Sequence, residues 1–153
     1  MNKYWKHFKI IMRHKYYVFM ECRKYGLYWQ GLVHDLSKFS PAEFRLAKYY
    51  VGTQSPINIE KRERGYSQSW LHHFHNNKHH WEYWYDATSG KLAPIPNRYL
   101  KEMVCDIIGA SKAYNGKNWN RDMPIDYVKN SGSHPVELKQ ILIPMLEKHL
   151  GGR

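Results

Sequence analysis

Histidine and aspartate recur along this chain in an order suited to holding divalent cations: His14, the adjacent pair His34-Asp35, the run His72-His73-Phe74-His75-Asn76-Asn77-Lys78-His79-His80, and then Asp106. Imidazole nitrogen and carboxylate oxygen both ligate borderline and hard divalent ions, and no ordinary packing requirement sets the two side by side. Such an ion lowers the pKa of its bound water and polarises a phosphoryl oxygen, and a pair of ions stabilises the attacking and leaving oxygens together. The chemistry these residues could support is metal-assisted hydrolysis, with a phosphate ester among the substrates such a site would suit. Asp35 could both bind the metal and orient the water, with Lys38 close by in sequence. Lys38, Lys78 and Lys112 are candidate phosphate contacts, with an ordinary surface position as the alternative for each. Glu82, four residues after Lys78, could do acid–base work or form a helix salt bridge.

Helical spacing must bring these residues together. Residues 3–24 read as one helix, because Phe8, Ile11, Val18 and Cys22 recur at helical intervals without Pro or Gly, and His14 lies on that stripe. Gly26 to Gly31 interrupts it, and Leu32 to Lys38 is expected to form a short helix carrying the His-Asp pair. Ser40-Pro41-Ala42-Glu43 has the form of a capping box and starts a third helix reaching about Tyr50. Residues 52–65 are expected to be a surface connection. Helical character returns near Ser67 and runs to about Tyr85, ahead of a loop through Ser89-Gly90, Pro94 and Pro96. Asn97 to Tyr114 is again helical, 124–129 adds a short turn, and a last helix opens near Ser133 and reaches Leu150.

Within 72–80 a continuous helix would put His72, His75 and His79 on one face, with His73 and His80 in a neighbouring row. Seven residues rise about 10.5 Å, which exceeds the span of two bonds of about 2.1 Å to one ion. Either two ions are served, or the helix breaks at Asn76-Asn77-Lys78. Asp106 shares a stripe with Met103, Ile107 and Ala110, where a carboxylate is costly unless paired, protonated or bound to a cation.

At 153 residues the chain is expected to be one domain, residues 1–153, able to bury a core without disulfides. Its two cysteines, Cys22 and Cys105, have neither metal-site nor disulfide-framework spacing, which points to a reducing, cytoplasmic setting. No apolar run approaches the roughly 20 residues of a membrane span, so no membrane is expected as a partner. The formal charge of +11 favours anionic partners: nucleotides, nucleic acid and anionic lipid are all compatible with it. With no alternating strand pattern, the fold class is all-α, an irregular bundle of about six to eight helices.

His14, His34-Asp35 and Asp106 resemble the H…HD…D order of the HD-domain superfamily, all-helical metal-dependent phosphohydrolases, and Lys38 extends the pair to the HDxxK form. The remaining histidines resemble the second-metal set of the two-metal members, H…HD…H…HH…D. That resemblance makes His79-His80 the paired histidines and His72 or His73 the intervening one, although six to eight residues is a shorter interval than those members usually have. The chain is also similar to a family of small bacterial and phage-encoded proteins through GLVHDLSKFSP, WLHHFHNNKHHWEYW and EMVCDIIGASKAYNG. The HD-domain resemblance implies a single HD-like metal-binding domain holding one or two divalent ions (Mn, Fe, Zn, Co or Ni), with His14, His34, Asp35, His72, His73, His79, His80 and Asp106 as ligands. It also implies phosphomonoesterase or phosphodiesterase activity on a nucleotide or related small phosphorylated molecule. The alternatives are a di-iron oxygenase on the same scaffold, or a non-catalytic nucleic-acid- or nucleotide-binding module that retains the metal.

Overall fold

The first helix, α1 (Lys3–Lys24), forms where the periodicity places it. His7, Ile11, His14, Val18, Glu21 and Cys22 make its buried stripe, the Asn2 side chain caps it by accepting from the Tyr4 amide, and Arg23 and Lys24 sit in the last turn. Cations there complement the negative end of the helix dipole. The computed structural model describes residues 2–52 and 54–151. After α1 come α2 (Tyr28–Val33), a 3₁₀ turn at Leu36–Phe39, α3 (Pro41–Phe44) running into a 3₁₀ segment at Arg45–Tyr49, α4 (Pro56–Arg64) and α5 (Gln68–Asn76). A 3₁₀ turn at Trp81–Trp84 leads to a two-stranded antiparallel ribbon, β1 (Tyr85–Asp86) with β2 (Lys91–Leu92), in which Tyr85 pairs with Leu92. The chain then forms α6 (Asn97–Asn115), α7 (Asp122–Asn130) and α8 (Val136–Gly151). The protein is an all-α bundle, with eight α-helices among the described residues.

Three local expectations are corrected. Residues 32–38 do not form a helix carrying the His-Asp pair: α2 ends at Val33, and Asp35 takes a left-handed conformation with φ 55°. It is the only non-glycine residue with positive φ among those described. Residues 52–65 are not simply a connection, since Pro56 stands at the first turn of α4, where its missing N–H costs nothing. The capping box at Ser40 does not form either. Pro41 starts α3, but Ser40 makes no side-chain cap, and the Glu43 carboxylate that would complete the box is engaged by histidines of α5.

Two buried clusters organise the bundle. The larger joins α6 to α7 and α8 through residues such as Ile108, Val128, Leu138 and Leu142, all fully buried. The smaller, Val18, Cys22 and Cys105, lies where α1 crosses α6, and both thiols are free. Gly109 makes this crossing close: a Cβ there would lie 2.5 Å from Val18 Cγ2 and 3.0 Å from the Val18 amide nitrogen. A second close approach seats α2 on α1, because a Cβ at Gly31 would lie 2.9 Å from Cys22 Cβ and 3.2 Å from Phe19 Cα.

Beyond the crossing, one buried carboxylate ties three helices. Glu21 of α1 accepts from Lys112 of α6 at 2.5 Å, from His149 of α8 at 2.7 Å and from Lys24 at 2.6 Å. Burial pushes the Glu21 carboxyl up, but these hydrogen bonds outweigh it and hold the group at about 2.

Replacing Gly109 with Ala should force α1 and α6 apart and lower the urea midpoint by an amount equivalent to about 1–3 kcal/mol. The Glu21 shift gives a second expectation. A depressed carboxyl stabilises the fold fully above its ordinary value of 4.5, and that contribution is lost as pH falls from there towards about 2. Glu21 by itself should contribute a loss of roughly 3 kcal/mol in thermal melts across that window, and Glu21→Gln should remove that share of the acid limb while lowering stability at neutral pH.

Candidate metal centre

The left-handed turn at Asp35 decides how the adjacent pair can act together. On a continuous helix neighbouring side chains diverge by about 100°, whereas here His34 is extended (φ −50°, ψ 129°) and Asp35 left-handed, so both side chains enter one buried space. Asp tolerates this backbone better than most residues because its short polar side chain can bond locally. Lys15 of α1 secures the turn from behind, donating to the Leu32 carbonyl at 3.2 Å and to the His34 carbonyl. These are the last carbonyls of α2, where a cation is favourable.

Four ligand atoms converge in a first cluster. His14 Nε2 lies 3.0 Å from Asp106 Oδ1, 3.3 Å from Asp35 Oδ2 and 3.3 Å from His34 Nε2. His34 Nε2 lies 3.2 Å from both Asp35 Oδ2 and Asp106 Oδ1. Ligand atoms bound about 2.1 Å from one ion stand about 3.0 Å apart in octahedral geometry and 3.4 Å in tetrahedral geometry. The observed spacings fall in that interval.

A second cluster forms on the other oxygen of Asp35. Asp35 Oδ1 is 3.3 Å from His73 Nε2 and 3.3 Å from His79 Nε2, and His80 offers a nitrogen to the same group. Asp35 Oδ1, His79 Nε2 and His80 Nε2 are all buried without a hydrogen-bond partner. Unpartnered buried polar atoms on three residues of one cluster are the arrangement a cation would satisfy. The residues therefore fit a divalent ion in each cluster, with Asp35 shared between them.

Two carboxylates that the sequence reading overlooked orient the imidazoles from outside. Glu102 Oε1 accepts from His34 Nδ1 at 3.0 Å and from His79 Nδ1 at 3.1 Å. Glu43 accepts from His73 Nδ1 and His72 Nδ1, each at 2.7 Å. An ionised carboxylate only accepts, so Nδ1 of His34, His73 and His79 carries a proton and Nε2 is the nitrogen that faces inward. A signal for Glu102 was present, since it lies one turn before Asp106 on the same face of α6. Nothing in the sequence pointed Glu43 at His73, because that contact joins separate elements.

Histidines of the 72–80 run divide by position. Helix α5 stops at Asn76 and the chain turns, which brings His79 and His80 back beside His73. His72, one residue from His73 and so about 100° around the helix, points away. It is part-exposed on Glu43 and belongs to neither cluster. His75 is exposed and bonds the Leu71 carbonyl. Asn77 braces the turn, its amide donating to Ser37 Oγ at 2.7 Å and to the His73 carbonyl at 2.8 Å.

Of the three lysines proposed as phosphate contacts, Lys38 alone touches the clusters, its Nζ 2.5 Å from Asp35 Oδ2. Lys78 is exposed and lies over the Tyr83 ring. Lys112 is committed to Glu21 and is corrected accordingly. That ion pair holds α6 on α1 and lies beyond the helix crossing from Asp106.

The electrostatics follow from burial and charge pairing. Burial pushes Asp35 and Asp106 up, and the surrounding His and Lys groups outweigh it and hold both well below the carboxylate range. Burial lowers His34, but Asp35, with hydrogen bonds to Asp106 and Glu102, raises it well above its ordinary value. His80 is held well below its ordinary value by burial and by the neighbouring His79 and His73. It is thus neutral and able to offer a lone pair.

Residues 3–148 match the model of a family of unknown function, DUF5662. The chain belongs to that family. No curated protein and no solved structure matches it. Among the described residues no helix is long and apolar enough to cross a membrane.

If Glu102 sets the orientation of His34 and His79 together, Glu102→Ala should weaken zinc or manganese binding about 10–100-fold with the helical circular dichroism retained. Unchanged affinity in equilibrium dialysis would count against that role.

Proposed function

We propose that this chain is a metal-dependent phosphohydrolase, acting on a phosphomonoester or phosphodiester of a nucleotide or related phosphorylated small molecule, and that it belongs among the HD-domain proteins. The observation that carries this reading is Asp35, whose Oδ2 faces His14 and His34 while its Oδ1 faces His73 and His79. A carboxylate shared in this way suits a bridged pair of ions. Two such ions would supply a water of lowered pKa and a polarised phosphoryl oxygen. The set His14, His34-Asp35, His73, His79-His80 and Asp106 follows the H…HD…H…HH…D order.

The chain's own groups supply orientation and charge. Asp35 directs the attacking water, and Lys38, part-exposed beside it, holds that carboxylate and offers its remaining N–H groups to a phosphate oxygen. Burial raises the Glu82 carboxyl above its ordinary range, and one of its oxygens is buried without a partner. A carboxyl raised by burial is the candidate donor of a proton to the departing oxygen.

The test is metal analysis followed by a phosphate-ester panel with Mn, Fe, Co, Ni or Zn. Asp35→Asn keeps the size and tolerates the left-handed backbone, so the fold should persist while hydrolysis falls about a hundredfold or more. Metal-free protein with an intact fold would overturn the reading. So would bound iron whose spectrum changes with oxygen and that hydrolyses nothing in the panel.

A further inference from the structure

Residues 2–50 hold ten Lys and Arg but only three acids, Glu21, Asp35 and Glu43. All three acids are buried, at 1%, 1% and 3% exposure, so this stretch contributes exposed cations and, among the described residues, no exposed carboxylate of its own. Its apolar side chains are just as unusual. The stripe of α1 opposite the buried one carries Trp5, Lys9, Met12, Arg13 and Tyr16, all exposed and within about 100° of one another around the helix. Rings and cations therefore alternate on one face: Lys9 sits over the Trp5 ring at 5.5 Å, with Arg13 a turn further on.

The adjoining segment adds further rings beside this face. Trp5 stacks on Phe8 with ring centroids 5.3 Å apart, and Phe8 meets Phe39 at 6.1 Å, which joins α1 to the 3₁₀ turn after Asp35. At the other end, the close seat of Gly31 on Phe19 and Cys22 fixes which side of α2 faces α1. Trp29 lies on the opposite side of α2, 72% exposed, and Tyr28 is 59% exposed. From Phe8 to Phe19 the axis of α1 rises about 16 Å, so the rings are spread over the length of several stacked bases.

From this juxtaposition we infer that the α1–α2 face is a docking platform for single-stranded nucleic acid, with Trp5, Tyr16 and Trp29 taking bases and Lys6, Lys9 and Arg13 taking phosphates. Flat rings interleaved with cations and cleared of carboxylates are the elements of sequence-tolerant single-strand binding. An anionic membrane surface fits less well. A helix lying in a bilayer interface segregates an apolar face from a charged one, whereas the apolar stripe of α1 is buried in the bundle and its outer face mixes the two. The inference stands apart from the hydrolase reading, because it concerns binding by a surface that holds none of the clustered ligands.

The experiment is fluorescence anisotropy of a labelled deoxythymidine oligomer of about 16 nucleotides, in chelator so that no hydrolysis intervenes. Wild-type protein should bind with an affinity that falls steeply as salt rises. Trp29→Ala should weaken binding about tenfold, and the pair Lys6→Ala with Lys9→Ala should reduce the salt slope, while Lys148→Ala on α8 changes neither. No binding at low salt overturns the inference. Equal losses from Lys148→Ala and the face variants overturn it as well, by reducing the effect to net charge. Preference for vesicles of phosphatidylcholine with phosphatidylglycerol over the oligomer would assign the face to a membrane instead and also overturn it. Phosphatase activity in the metal-loaded protein is read separately, so failure of either reading leaves the other standing.

Discussion

The Asp35 carboxylate is fully shielded from water, and a bare charge in that position would be untenable without compensation. His14, His34, Lys38, His73 and His79 all approach it, drawn from α1, the turn after α2, α5 and the turn that follows. The need to surround one buried anion with cationic or metal-bound groups thus fixes how four separate parts of the chain meet. In the protein without metal, protons on the imidazoles can supply that compensation. A divalent ion would displace them, so binding should be coupled to proton release.

Around this centre the bundle supplies rigidity in layers. Gly109 lets α1 and α6 approach closely enough for His14 and Asp106 to meet, and Gly31 does the same for α2. The Glu21 network pins α1, α6 and α8 on the far side of the crossing. Glu102 and Glu43 then hold the imidazole rings from behind, each carboxylate serving two histidines. Glu102 couples the two clusters, because His34 belongs to one and His79 to the other. A disturbance of this one residue would reach both.

Placement of charge separates the two halves of the proposed chemistry. Acids of the first fifty residues are buried at the clusters or in the helix network, which leaves the outer face of α1 and α2 uniformly cationic. A surface of that kind would attract a phosphate-bearing partner without competing with the buried carboxylates for the same contacts. Exposed Trp5 and Trp29 add contact area that carries no charge.

The boundaries of α1 and α6, the candidate residues His14, His34, Asp35 and Asp106 that the fold brings together, and the all-α class were legible in the chain, because helical periodicity and a carboxylate on an apolar stripe are local signals. Tertiary structure decided what local signals cannot carry. Asp35 stands outside the helical region, in a turn that Lys15 and Lys38 brace from two sides. His73 was separated from His72 by the face of α5 that meets Glu43 and Asp35. Lys112 was drawn to Glu21, 91 residues away in sequence, and so withdrawn from the substrate set. Each of these depends on a pairing between distant segments, and the energy of a buried charge is set by neighbours that only the folded chain assembles.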